Sequence, residues 1–360
     1  MRLSAVMVRK PLVGAIVVAV AQLISPLALA QAPAVPAVTL PAAFRNAPAD
    51  AIETGTHDAA LGEPALARLI ALAYTHNPAR AQAVARISST GRTRDGGDIE
   101  LRMHRAELAR LDHQLAEEMA HAWFDRHAAT SRLAIADVLD ALAAQGLQLV
   151  NQRLAAGVAT QPDLERMHEA AIKARSLRAR AVQERGAAAA RIAALTGEQG
   201  TPAVASAPDQ DAARASIPAP PPAPATAAGA LAHPIRATAP AALFERPEVR
   251  AARVRLEVPG TSPAELAAFY REAVLKALED TETAYAAAVS ARAQRSSAAD
   301  MRATAGRQQA AVLAQLEAGR VGRLQHIEAQ ASSQEAQLRV TDAEAAYAKS
   351  LATLERMLGH

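Results

Sequence analysis

The sequence predicts an all-α protein built from two pseudo-repeated, long antiparallel helical hairpins. Three observations carry this expectation. The chain repeats itself: Ala156-Gly157-Val158 and Ala318-Gly319-Arg320 stand 162 positions apart, and the same offset pairs Glu117-Glu118 with Glu279-Asp280, Trp123 with Tyr285 and Gly197 with Gly359. Residues 99–154 hold no proline, while Leu101, Leu108, Leu111, Leu115, Met119 and Trp123 recur with the period of a helix face. Gly157, followed by Thr160 and Pro162, reads as a helix stop and a new helix start.

Taken in order, residues 1–30 read as a secretory signal peptide. Arg2, Arg9 and Lys10 form a basic start, Pro11 to Leu29 is apolar, and Ala28-Leu29-Ala30 fits a small-x-small cleavage site before Gln31. Retention as a membrane anchor is the competing reading of the same residues. Residues 31–62, rich in Ala and Pro and without periodicity, read as a flexible N-terminal arm.

Residues 63–198 form the first repeat. Leu66, Leu69, Ile70 and Ala73 share a face before a break at Asn77-Pro78. A polar, glycine-containing turn spans 88–98, and Asp98 is placed to cap the next helix. One helix over 99–154 would be ~80 Å long, with a return running to about Leu195. Residues 199–240, with Pro218-Ala219-Pro220-Pro221-Pro222, read as a Pro/Ala-rich linker that cannot be helical.

Residues 241–360 repeat the plan: a short helix from Leu243 to Leu256, a turn at 257–261, a long helix from Ala264 to about Glu317, and a return from Leu324 to Leu358. On that return Leu324, Ala331, Leu338 and Ala345 keep seven-residue spacing and, with Ile327, read as a coiled-coil seam or an intramolecular contact.

Composition removes several functions. The formal charge of +3 comes from residues 1–30; residues 31–360 carry 36 basic and 36 acidic side chains, so net charge supports no nucleic-acid partner. Without cysteine there are no disulfides, thiolate nucleophiles or Cys-based metal sites. No G-x-S-x-G, P-loop or dinucleotide-binding signature occurs, and the chain reads as no enzyme, with no cofactor. His113, Glu117 and His121 fall at four-residue steps on one helix face and are metal candidates in principle, though the two histidines stand about 12 Å apart along the axis. Glu–His pairing on a hydrated surface explains the same spacing.

The order of short motifs resembles TolC-like outer-membrane efflux proteins, the outer component of tripartite pumps. Leu243-Phe244-Glu245-Arg246-Pro247-Glu248-Val249 is similar to that family's second-half "LL-x-R-P-D-I" segment, with Glu248 for the usual Asp and Arg253 for a usual Glu. Leu66 to Ile87, with Asn77-Pro78, resembles the first-half "L-x-x-A-L-x-x-N-P" segment. Ala156-Gly157-Val158-Ala159-Thr160 and Ala318-Gly319-Arg320-Val321-Gly322 resemble the two tip turns, and Leu195-Thr196-Gly197 and Met357-Leu358-Gly359 the helix endings.

The resemblance implies a TolC-type α-barrel protomer, a homotrimer, a periplasmic adaptor docked at the tips, an inner-membrane pump and an outer-membrane location. Gly157, Val158, Thr160, Gly319, Arg320 and Val321 become the partner-binding tips. Val158 and Val321 are expected as exposed apolar residues there. The chain departs from the family where each half should insert two membrane strands: only residues 88–98 and 257–263 are offered, against ~9–11 residues per strand. Little or no β-barrel is expected. Two readings therefore stand beside the efflux conduit: a soluble periplasmic coiled-coil scaffold or remnant of the family, and a metal-binding periplasmic protein using His104, His113, Glu117 and His121.

Overall fold

The structure is a computed structural model and describes residues 35–50, 52–53, 62–91, 97–197, 235–258 and 262–359. The expected signal peptide and most of the linker lie outside these residues. Among the described residues seven α-helices follow one another: α1 (Pro64–His76), α2 (Pro78–Thr90), α3 (Gly97–Ala155), α4 (Gln161–Thr196), α5 (Pro247–Arg255), α6 (Pro263–Glu317) and α7 (Arg323–Leu358). The long helices obey the repeat, since α7 begins and ends 162 positions after α4. At 59 residues, α3 is about 88 Å long.

The four long helices stand in a row, α4–α3–α7–α6, in which α3 packs against α4 and α7, and α7 against α3 and α6. Arg132 marks the centre: its guanidinium reaches from α3 to Glu184 on α4 (2.8 Å) and to Asp342 on α7 (2.7 Å). Small side chains let the backbones approach. Ala171, Ala174, Ala181 and Ala188 are the buried face of α4, and Ala277, Ala284, Ala288 and Ala291 do the same on α6. This is how a chain with 2% aromatics fills a long contact. An 18-residue window of α3 reaches a mean hydropathy of 1.5, enough by length and composition for a membrane helix. The sequence reading missed it. In this fold α3 has a neighbour on each side, and 33% of that window is buried.

The short helices thicken one part of the row, and the main core lies there, around Leu66, Met119, Leu243, Val274, Tyr285, Tyr347 and Leu354. Asn77 explains the break between α1 and α2. Its Oδ1 accepts from the N–H groups of Ala79 and Arg80, capping α2, and its Nδ2 donates to the Leu195 carbonyl at the end of α4. Arg80 then ion-pairs with Asp112 of α3 at 2.6 Å. In the second half Arg246 precedes the helix-starting Pro247 as Asn77 precedes Pro78. It is buried, donating to the Ala277 carbonyl (3.0 Å), with Glu248 3.6 Å away. Burial pushes its pKa down, against the charged form, and the Glu248 carboxylate opposes that shift.

Several boundaries differ from the sequence reading. The expected helix from Leu243 to Leu256 is a 3-10 turn (Pro240–Glu245), an extended Arg246, and α5. Pro247 lacks an N–H to continue the earlier turn, so a new helix starts at it. The arm is not free where it is described. Phe44 is buried with its ring 5.3 Å from Tyr285, and the N–H groups of Arg45 and Asn46 donate to the Glu282 carboxylate. Asp50 pairs with Arg292 at 2.7 Å. Proline keeps this stretch from being a helix, but extended chain can still bury one aromatic ring and use carboxylate acceptors.

The linker's last residues are also packed. Ile235 is in the core, and Arg236–Ala237 (β2) pairs in parallel with Ile52–Glu53 (β1), two residues each. On α7 the seven-residue series from Leu324 to Ala345 is only half-buried; the fully buried series runs through Ala336, Val340, Tyr347, Leu351 and Leu354. A helix with neighbours on two sides buries two stripes, and a single seam describes neither fully.

The connections at the end away from Gly157 and Gly319 are short. Residues 91–96 join α2 to α3, and 256–262 join α5 to α6. Neither is long enough for one membrane strand, let alone a hairpin.

Candidate partner-docking site at the hairpin turns

Both long hairpins turn by the same device. Gly157 has φ +70° and Gly319 φ +67°, the left-handed region that an L side chain resists. The Gly157 N–H donates to the Leu154 carbonyl and the Val158 N–H to that of Arg153; the Gly319 N–H donates to Leu316 and the Arg320 N–H to Gln315. This is the paired 5→2 and 6→1 bonding of a Schellman end, made twice.

The returning helices are capped in parallel fashion. The Asp163 carboxylate accepts from the Thr160 N–H (3.0 Å) and hydroxyl (2.7 Å), and Gln325 Oε1 accepts from the Gly322 N–H (3.1 Å). Asp163 and Gln325 were missed in the sequence, although Thr-x-x-Asp before an apolar run is the pattern of a capping box. Those hydrogen bonds are also the main cause that lowers the Asp163 pKa.

The fold brings all six expected tip residues to one end. A cleft of about 630 Å³ opens between the turns, lined by Arg153, Val158, Asp163, Arg166, Arg320, Val321 and Glu328. Arg166 lies 3.3 Å from Asp163 and 3.9 Å from Glu328, linking α4 to α7 across the cleft. These pairs are exposed and contribute little stability. Val158 is 65% exposed, as expected. Val321 is not: it is half-buried in the cleft wall. The pseudo-equivalent of Val158 is Arg320, so the two turns present unlike chemistry, one apolar and one cationic. A rigid concave end with apolar, cationic and anionic groups is suited to recognising another protein.

The histidine face of α3 goes elsewhere. Glu117 Oε2 pairs with Arg356 Nε at 2.6 Å, and its Oε1 accepts from the Thr353 hydroxyl. His121 Nε2 is 3.1 Å from both the Lys349 carbonyl and the Thr353 hydroxyl. His113 stands apart from these, and burial lowers its pKa, favouring the neutral ring. Glu117 and His121 therefore bind α3 to α7. Among the described residues no three His, Asp or Glu side chains are grouped to hold a metal ion.

Neither a protein-family model nor a curated protein matches the chain. Solved structures do. The outer-membrane channel OprN superposes with a TM-score of 0.68 at 16% identity, over 91% of this chain and 97% of that one. The Campylobacter jejuni CmeC outer membrane channel gives 0.65 at 9% identity, over 90% and 94%. The open Neisseria gonorrhoeae MtrE outer membrane channel gives 0.63 at 16% identity, over 90% and 96%. At such identities the likeness is one of fold: the chain has the helical-hairpin fold of outer-membrane channels. It is the fold that the TolC-like resemblance of the sequence implies.

Proposed function

We propose that the chain is a protomer of the outer component of a tripartite efflux system, closing with copies of itself into a passive helical conduit. The observation that carries this reading is the open row of helices. Among the described residues, α4 and α6 have no long-helix neighbour on their outer sides. Each outer side shows an exposed stripe at three-, four- and seven-residue steps: Ile172, Ser176, Ala179, Gly186 and Ala190 on α4, and Ala286, Ser290, Ala293 and Ser297 on α6. Small residues at that period suit close packing against a second helix. Three copies, the number the family resemblance implies, would join α4 to α6 into a ring of twelve helices. The tips would dock a periplasmic adaptor, and an inner-membrane pump would supply the energy. An exported chain in the outer membrane or periplasm fits this reading, and no residue in it makes or breaks bonds.

The absence of native cysteine makes the ring directly testable. Ala179 and Ser297 are equally far from their turns, 22 residues from Gly157 and from Gly319, so rotation about an axis along the helices puts them at one height. Ala179→Cys/Ser297→Cys is expected to give disulfide-linked dimers and trimers under oxidation, with either single variant giving none. Monomer alone from the double variant would reject the ring.

The adaptor contact has a separate test. Val158→Asp is expected to leave the far-UV circular dichroism unchanged and to weaken adaptor binding about tenfold, as loss of an exposed apolar anchor does. Unchanged affinity would remove the turn from the binding surface. The short connections favour a second reading, a soluble periplasmic scaffold of the same fold, which a detergent-independent periplasmic pool would support.

A further inference from the structure

We infer that the end of the protein opposite Gly157 and Gly319 is a docking surface for an anionic membrane leaflet, held peripherally by exposed arginines and Phe269. Four helix ends meet there: the C-terminal ends of α2 and α5 and the N-terminal ends of α3 and α6, joined by the two short connections. Arg102 of α3 fastens the group by pairing with Glu257 beyond α5 at 2.8 Å.

The charge around this end is uneven. Arg86, Arg105, Arg250, Arg253, Arg255 and Arg271 are all exposed, and none of them has an ion-pair partner among the described residues. Of the nearby acids, Asp98 and Glu257 share the single charge of Arg102 and Glu107 pairs with Arg110; with Glu100, Glu265 and Glu272 these acids are still outnumbered by the arginines.

Phe269 stands 40% exposed on α6, with the Arg255 guanidinium 4.8 Å from its ring centroid. An apolar ring beside the Arg255 guanidinium, with further exposed arginines on the helix ends that meet here, matches the chemistry of a phospholipid headgroup layer. The ring enters the acyl boundary, while arginine, weakly hydrated and forked, bonds phosphate oxygens. An anionic leaflet attracts each such charge without requiring a fixed ligand. The contact needs no inserted strand, which suits connections too short to supply one. It stands independently of the ring proposed above, because a monomer presents the same end.

The test is vesicle flotation of the full chain. Binding is expected to vesicles rich in phosphatidylglycerol, to be weak on pure phosphatidylcholine, and to be released by high salt. Arg250→Glu/Arg253→Glu/Arg255→Glu is expected to lower binding at least a hundredfold, since each arginine near an anionic leaflet adds about fivefold. Lys173→Glu/Arg185→Glu/Arg307→Glu changes charge equally, away from this end, and is expected to bind as the parent does. If the first triple variant fails to fold by circular dichroism, Arg253→Gln alone is expected to show about a fivefold loss. Equal binding to both vesicle types would place the contact in the apolar residues 11–29 and overturn the inference. Equal loss in both triple variants would reduce it to net charge and overturn it as well.

Discussion

Gly197→Ala is expected to destabilise the protein by about 3 kcal/mol or more, far beyond the same change at the other helix-ending glycines. Gly197 closes α4 with φ +72°, so any Cβ carries a left-handed penalty of about 1–2 kcal/mol. The larger part is steric. A Cβ here would stand 2.5 Å from the His76 carbonyl oxygen and 3.2 Å from its carbon. Both are backbone atoms at the end of α1, where Asn77 ties the α1–α2 junction to Leu195. Relief would require moving α1 off the core face it covers with Leu66 and Ile70.

A Cβ on Gly157 or Gly319 would meet nothing within 4 Å, and one on Gly359 would meet only the Arg246 Cγ, at an ordinary van der Waals distance of 3.5 Å. These three glycines are expected to cost about 1–2 kcal/mol each, the conformational penalty alone. Urea midpoints followed by circular dichroism would rank the four variants. A Gly197→Ala midpoint no lower than that of Gly157→Ala would show that the junction yields to the added methyl group.

The parts of this fold visible in the sequence are those written locally or written twice. Gly157 and Gly319 end helices through hydrogen bonds within a few residues of themselves, and the constant offset makes each turn a check on the other. Asn77-Pro78 is readable for the same reason: the asparagine caps the very helix that the proline begins. What stayed hidden depends on distant partners. Phe44 lies in composition typical of a loose tail, yet it packs on Tyr285, and Glu282 binds the neighbouring N–H groups across more than 230 positions. Glu117 and His121 look like ligands on an isolated helix, because the α7 groups that engage them, Thr353 and Arg356, are equally remote. At the tips, glycine spacing located the turns but not the exposure of each residue. Val321 is half-buried because the cleft wall forms only when both hairpins stand together.

The proposed conduit carries no membrane barrel of its own in its α2–α3 and α5–α6 connections. A barrel wall must pair every backbone N–H and C=O between closed strands and present an apolar band to lipid. Each strand takes ~9–11 residues. The six residues between α2 and α3 and the seven between α5 and α6 cannot supply this. Their sequence is also wrong for it: Arg92, Arg94 and Asp95 occupy the first and Pro259 and Gly260 the second, and charges facing mid-bilayer lipid cost about 2–4 kcal/mol each. Multiplying copies does not help, since every copy has the same connections. Planar-bilayer recording of the purified protein alone is the most direct measurement. No conductance steps are predicted, including at concentrations where the Ala179→Cys/Ser297→Cys cross-link forms. Reproducible single-channel steps from the protein without any partner would contradict the account.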